Sequence, residues 1–304
     1  MKKFLFLCAV ALTFAACGQN ENKDKKEQRQ VQEKETIVPK GVPVAPMQNV
    51  PVQPKGDFDQ TATTGSSDGP VLKLEEGKPL DFSQLNMGRK SLQDQLTERI
   101  DTIRNRAEQD KTEFVYLYGL CYENGWGVEK NVAQAYKWYS KAAEKEFPAA
   151  CNALGNFYRM GNGVKVDLNK AFEWYKKGAN GKDDQAMLNL GNCYFYGMGT
   201  AKDEKAALKW WKDAAEAGNA YALSQMGDCY YSGIGVEKDL AKAIENYTAA
   251  ADKNISNAQY RLGILYYTGN GVQQDQTYAK LLMQKARDGG MHEAQEFLDK
   301  NFKN

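Results

Sequence analysis

Five glycines set the frame for this chain. Gly119, Gly155, Gly191, Gly227 and Gly263 recur at a spacing of 36 residues, and Tyr122, Tyr158, Tyr194, Tyr230 and Tyr266 recur with them. Ala135, Ala171, Ala207, Ala243 and Ala279 fall on the same register, as do Gly125/Gly127 and their four equivalents. Self-similarity at a fixed period of this length predicts stacked helix pairs, each burying its apolar face only against its neighbours. The repetition also disposes of a second reading. A Gly-x-Gly followed by lysines, as in "YENGWGVEK", suggests a loop cradling a phosphate. Such a site needs one loop after a strand and before a Gly-Lys-Ser/Thr, whereas here five loops stand in tandem with neither flank.

Each unit reads as helix A, loop, helix B. In the second unit helix A is "AACNALGNFYRM", with Ala150, Leu154, Gly155 and Tyr158 on one face at helical spacing. Gly161 follows the last periodic residue, where helices commonly end in a left-handed turn, and Gly163 adds a second permissive residue. Asp167 then stands at the N-cap of helix B, matched by Asp203, Asp239, Asp275 and, in the first unit, Asn131. Short acceptor side chains at that position bind the orphan N–H groups of the first turn. Helix B, "NKAFEWYKKGA", presents Ala171, Trp174/Tyr175 and Gly178 inward. Small residues let the helices approach while the aromatic pair fills the space between units.

The flanks predict half-units. "SLQDQLTERIDTIRNRAEQ" predicts one helix over 91–110, with Leu96, Ile100, Ile103 and Ala107 on one face where a helix B would lie one period earlier. "MHEAQEFLDKNF" predicts a helix over 291–302 in the place of the next helix A, with Ala294 and Leu298 in register. The expected fold is therefore an all-α solenoid. Its repeats run over 111–146, 147–182, 183–218, 219–254 and 255–290, and half-repeat helices cap both ends.

The pattern carried by Ala150, Leu154, Gly155, Tyr158, Gly161, Gly163, Val164, Asp167, Ala171, Trp174, Tyr175 and Ala179 resembles the Sel-one-like repeat, a relative of the tetratricopeptide repeat. The resemblance covers about residues 114–286. It departs at Phe114, at Thr200 and at Leu282/Met283, which replace an alanine, a valine and the aromatic pair. It implies a concave side lined by helix A positions that point away from helix B, and binding of another protein or peptide there. Carried over by register, the groove residues are Tyr116, Asn152, Asn156, Arg159, Leu188, Asn192, Phe195, Asp228, Tyr231, Tyr260 and Tyr267. Asparagine amides can grip an extended backbone, and tyrosine and arginine are common interface anchors. Asn156 and Asn192 resemble the paired asparagines of the tetratricopeptide carboxylate clamp, although that clamp's lysines have no counterpart here.

The first sixteen residues read as a targeting signal. Lys2 and Lys3 precede an apolar run from Phe4 to Ala16 that is too short to span a bilayer. The run ends "TFAAC", which resembles the lipobox of bacterial lipoproteins with Phe14 in place of the usual leucine. That resemblance implies acylation of Cys17, and Gly18 after it implies the outer membrane, with its periplasmic and outer sides both open. The alternative is an ordinary cleaved signal with an incidental cysteine. Residues 17–90 show a mixed-charge run and then a segment rich in Pro, Gly and Ser, a composition that predicts a lipid-anchored tether.

Little in the sequence speaks for catalysis. The only histidine is His292, on the expected C-terminal cap. Some cysteine-rich relatives of the repeat family are described as penicillin-binding or weakly β-lactamase-like, which makes a cell-wall peptide or β-lactam enzyme the first alternative. Ser83, Ser91, Ser140, Ser224, Ser232 and Ser256 all lack a lysine three residues on, and no Lys-Thr-Gly occurs. A structural spacer is the second alternative. Cys121, Cys193 and Cys229 share one slot of helix A. Neighbouring helices about 9–10 Å apart would hold them beyond the roughly 7 Å that a bridge allows, so free buried thiols are expected. With a formal net charge of +1, no field draws nucleic acid. The expectation is a monomeric, non-enzymatic scaffold of the cell envelope, without cofactor or metal, that binds an envelope protein or peptide.

Overall fold

The computed structural model describes residues 92–302, which form thirteen helices and no strand. Two helices, α1 (Leu92–Glu98) and α2 (Ile100–Glu108), precede five pairs. The pairs are α3 (Thr112–Asn124) with α4 (Val132–Ala143), α5 (Pro148–Met160) with α6 (Leu168–Asn180), and α7 (Asp184–Tyr196) with α8 (Glu204–Glu216). They continue with α9 (Ala220–Ser232) and α10 (Leu240–Ala251), then α11 (Ser256–Thr268) and α12 (Gln276–Asp288), before α13 (His292–Asn301). Each helix packs on its partner and on the following pair, giving an all-α solenoid.

The loops within the pairs repeat one set of bonds. In the second pair the N–H groups of Gly161 and Asn162 both donate to the Phe157 carbonyl, at 2.9 and 3.1 Å. The chain then closes through Asp167 N–H to the Tyr158 carbonyl at 2.9 Å. The Asp167 carboxylate accepts from Lys170 N–H at 3.0 Å, and Asn131, Asp203, Asp239 and Asp275 cap their helices in the same way. Gly161 and Gly163 have φ of +74° and +68°. Gly163 is thus a left-handed position in its own right, a stricter demand than the permissive spacer expected from the sequence.

Between the helices of a pair, glycine meets a ring. A Cβ on Gly155 would lie 2.5 Å from Tyr175 Cδ1, and one on Gly191 would lie 2.5 Å from Trp211 Cδ1. Tyr139, Tyr175, Trp211 and Tyr247 are the largest fully buried side chains, stacked one per unit along the core. Leu154, Leu190 and Leu262 are fully buried as well. The rings supply the buried apolar area, and the missing side chains on helix A let them lie flat against its backbone.

The ends depart from the sequence expectation in one respect. The single helix expected over 91–110 is two, with Arg99 between them at φ −110° and ψ 12°. Where each later unit has a capping Asn or Asp, this segment has Gln95, so nothing fixes a helix start at residue 96. The chain instead enters helix at Leu92 and bends at Arg99, still burying Leu96, Ile103 and Ala107. At the other end α13 takes the place of a helix A, burying Ala294 and Leu298. Asp299 stands one period after Gly263, so this helix lacks the gap that admits a ring in the repeats.

Candidate protein-binding face

The buried rings of helix B carry polar atoms, and the inner side of helix A supplies their partners. Tyr139 Oη donates to Glu123 Oε2 at 2.6 Å. Tyr175 Oη donates to Asn156 Oδ1 at 2.7 Å and accepts from Arg159 Nε at 3.0 Å. Trp211 Nε1 donates to Asn192 Oδ1 at 3.2 Å and to the Leu188 carbonyl at 3.3 Å. Tyr247 Oη donates to Asp228 Oδ1 at 2.7 Å. In the last unit the ring is replaced by Met283, which has nothing to donate, and the slot of Asn156, Asn192 and Asp228 is held by Ile264. In the second, third and fourth units the polar side chain of this column follows the buried donor. In the first the column holds Leu120, and Glu123, one turn on, accepts from the Tyr139 hydroxyl. A donor left unpaired there costs about 1–3 kcal/mol.

This geometry revises the groove expected from the sequence. Leu188, Asn192 and Asp228 are buried, so they face the core rather than a partner. Asn156 and Asn192 act as acceptors for a phenol and an indole, which accounts for the pair without a carboxylate clamp. Tyr260 and Tyr267 pack against α13 and keep part of their side chains exposed. Tyr267 meets Phe297 and Phe302 edge-on at centroid distances of 5.1 and 5.6 Å, and its hydroxyl donates to Asn301 Oδ1 at 3.3 Å. Tyr260 packs edge-on against Phe297 at 6.4 Å. Tyr116 lies between Tyr139 and Phe147, with ring centroids at 5.5 and 5.3 Å.

The other expected groove residues stay partly exposed, Tyr116, Tyr260 and Tyr267 among them beside their aromatic neighbours. Asn152, Asn156 and Arg159 come from the second unit, Phe195 from the third and Tyr231 from the fourth. Asn152 Oδ1 accepts from Asn189 Nδ2 of the next helix A at 2.9 Å, and Phe195 rests on Trp211 at 5.2 Å with Lys202 over its ring at 5.6 Å. Cys17 lies outside the described residues.

Three inner-face residues escaped the sequence analysis: Tyr196, Gln225 and Arg261. Arg261 Nε lies 3.3 Å from Asp228 Oδ1, an ion pair between successive A helices. Burial pushes the Asp228 carboxyl above its ordinary range, opposed by Arg261 and by hydrogen bonds from Tyr247 and Asn257. Asn257 Nδ2 also donates to Ser224 Oγ at 3.0 Å. Gln225 and Arg261 stand one residue beyond the register of Tyr116, Asn152, Leu188 and Tyr260. Widening the transferred face by one position, as the breadth of a helix surface warrants, would have included them.

The remaining reactive groups are structural in their surroundings. Cys121, Cys151, Cys193 and Cys229 are buried and free. Burial pushes the thiols of Cys121, Cys193 and Cys229 up to about 12 and that of Cys151 to about 11. Such thiols are poor nucleophiles. His292 is exposed on α13. Among the described residues no cluster of His, Cys, Asp or Glu is placed to hold a metal ion.

A solenoid of capped helix pairs with a polar and aromatic inner face has the architecture of a repeat scaffold. The Sel1 repeat matches this chain five times, at residues 113–147, 148–183, 184–219, 220–255 and 256–291, and the chain belongs to the Sel1 repeat family. Proteins of this family are generally non-catalytic scaffolds that bind other proteins. No curated protein matches the chain. Among solved structures it is similar to c5321, a protective antigen of uropathogenic Escherichia coli with an SLR fold, at 36% identity over 70% of this chain and a TM-score of 0.59. The chain spans 45% of that antigen's length. It is also similar to a Sel1 repeat protein from Oxalobacter formigenes, at 32% identity over 66% of this chain and 88% of that one, with a TM-score of 0.61.

Proposed function

We propose that this protein is a scaffold of the bacterial cell envelope, held at the outer membrane by acylated Cys17, and that it captures another protein through the inner face of its A helices. One observation carries the binding reading. Arg159, Phe195 and Tyr231 occupy one register in three successive units, and each keeps part of its side chain in water. Arginine and aromatic side chains aligned in this way are the residue types that dominate binding energy at interfaces. The equivalent Tyr267 is already contacted by the rings of Phe297 and Phe302, which supports the view that this register accepts apolar cover.

The test is cross-linking and affinity capture with the tagged protein in its own membranes, followed by affinity measurement with the partner recovered. Phe195→Ala should weaken binding by about 1–2 kcal/mol, as loss of an aromatic anchor does. Lys176→Ala, on the exposed side of α6, should leave it unchanged. Loss of binding in the Lys176 variant with retention in the Phe195 variant would move the interface to the outer face. The anchor has its own check: Cys17→Ser should release the protein from the membrane fraction and abolish lipid labelling, and unchanged partitioning overturns the lipoprotein reading.

A further inference from the structure

Among the described residues, four buried side-chain polar atoms make no hydrogen bond, and three of them lie on one stretch of the inner face: Tyr196 Oη, Gln225 Oε1 and Arg261 Nε. The fourth, Asn124 Oδ1, is at the end of α3. Gln225 and Arg261 hold the same slot of successive A helices, and Asp228 stands one turn from Gln225 on the same helix face. Arg261 Nε is near enough to Asp228 for an ion pair but off the line of a hydrogen bond. Burial, and after it the Asp228 carboxylate of the next unit, push the Tyr196 hydroxyl above its ordinary range, so it stays protonated. Three such groups in one place leave a desolvation cost in the folded protein with nothing to offset it.

We infer that Tyr196, Gln225 and Arg261 form a ledge that holds the main-chain amides of an extended peptide segment of the partner. The inference rests on the protein-binding reading above and names what the inner face recognises. The chemistry selects amides over ions. Asp228 and Arg261 neutralise each other, so the ledge presents no net charge to draw an ionic group. It offers one acceptor (Gln225), one donor (Arg261) and one hydroxyl able to do both (Tyr196), which is the complement of a peptide backbone's alternating N–H and C=O. Each of the three side chains is partly exposed, and rotation about χ1, with χ2 and χ3 for Gln225 and Arg261, turns the unpaired atom toward a chain lying along the face. Successive A helices stand about 10 Å apart, which three extended residues at about 3.3 Å each would span.

The test uses the whole chain, immobilised, and a displayed library of random linear dodecapeptides as the probe. The variants are Tyr196→Phe and Gln225→Met, which delete the unpaired atoms with little change of shape. Enriched peptides should bind each variant about tenfold more weakly, the loss of roughly one buried hydrogen bond, while each variant melts at the same temperature as the parent or higher. N-methylation of single amides in an enriched peptide should reproduce the loss at defined positions. Peptides weakened by Phe195→Ala but bound equally by both variants would overturn the ledge and leave the binding face standing. A fall in melting temperature of both variants would also overturn it, by showing that the network is structural. If no peptide is enriched, or none responds to Phe195→Ala, the inner-face reading itself falls with it.

Discussion

Gly155 and Tyr175 are fitted to each other: a Cβ on the glycine would lie 2.5 Å from both Cδ1 and Cε1 of the tyrosine ring. The ring is fully buried, and its hydroxyl is held between Asn156 and Arg159, so it has no free direction in which to move. Gly155→Ala should therefore destabilise the protein by about 1–3 kcal/mol, the usual cost of overpacking. The matching change Gly263→Ala should cost less. There the nearest atom is the flexible end of Met283, at 3.0 Å. Denaturant midpoints of the two variants check the order, and equal losses would show that the ring is not the obstacle.

The hydrogen bonds behind the inner face should differ in worth according to what is left behind. Tyr247→Phe leaves a buried Asp228 oxygen without its donor, whereas Tyr175→Phe leaves Asn156, which water still reaches. The first should cost about 1–3 kcal/mol and the second about 0.5–1.5 kcal/mol. Thermal or chemical unfolding of the pair decides it, and the reverse order would mean that Asp228 finds a substitute donor.

Asp183 links stability to pH. Its side chain caps α7 by accepting from Ala186 N–H at 2.7 Å, and burial pushes its carboxyl up from 3.8 to about 6. A carboxyl raised in the folded state penalises folding once it ionises. The penalty is absent below about pH 4, grows between about 4 and 6, and is complete above that, at most about 3 kcal/mol. Asp183→Asn keeps the acceptor and removes the charge. It should be more stable than the parent at pH 7.5 and equal to it near pH 4. A parallel pH dependence of the two proteins would place the titrating group elsewhere.

The turns from helix B to the next helix A hold strain that can be removed. Glu146 and Lys182 sit there with φ of +57° and +67°, where the fourth turn has Gly218 at +103°. Lys182→Gly should raise stability by about 1 kcal/mol, because the left-handed region costs a residue with a Cβ about that much. Gly218→Ala should lower it although nothing lies within 4 Å of the added methyl. Melting temperatures moving in opposite directions confirm backbone strain as the cause.

The period of 36 residues, the glycine stops, the Asn and Asp caps and the glycine-to-aromatic spacing were legible in the sequence, because each obeys a local rule that repetition states five times over. They determined the helices, their pairing and the buried face of each unit. The inner face was legible only in outline. Whether Asn192 and Asp228 turn to a partner or to the core depends on Trp211 and Tyr247, which are 19 residues away in sequence and meet them only once the pair has closed. The fate of Tyr260 and Tyr267 depends on where Phe297 and Phe302 come to lie. The break at Arg99 depends on the absence of a cap at Gln95. A repeated sequence specifies its unit because the unit's contacts are local, whereas a unit's free surface is whatever its neighbours leave uncovered, and that was decided by tertiary packing.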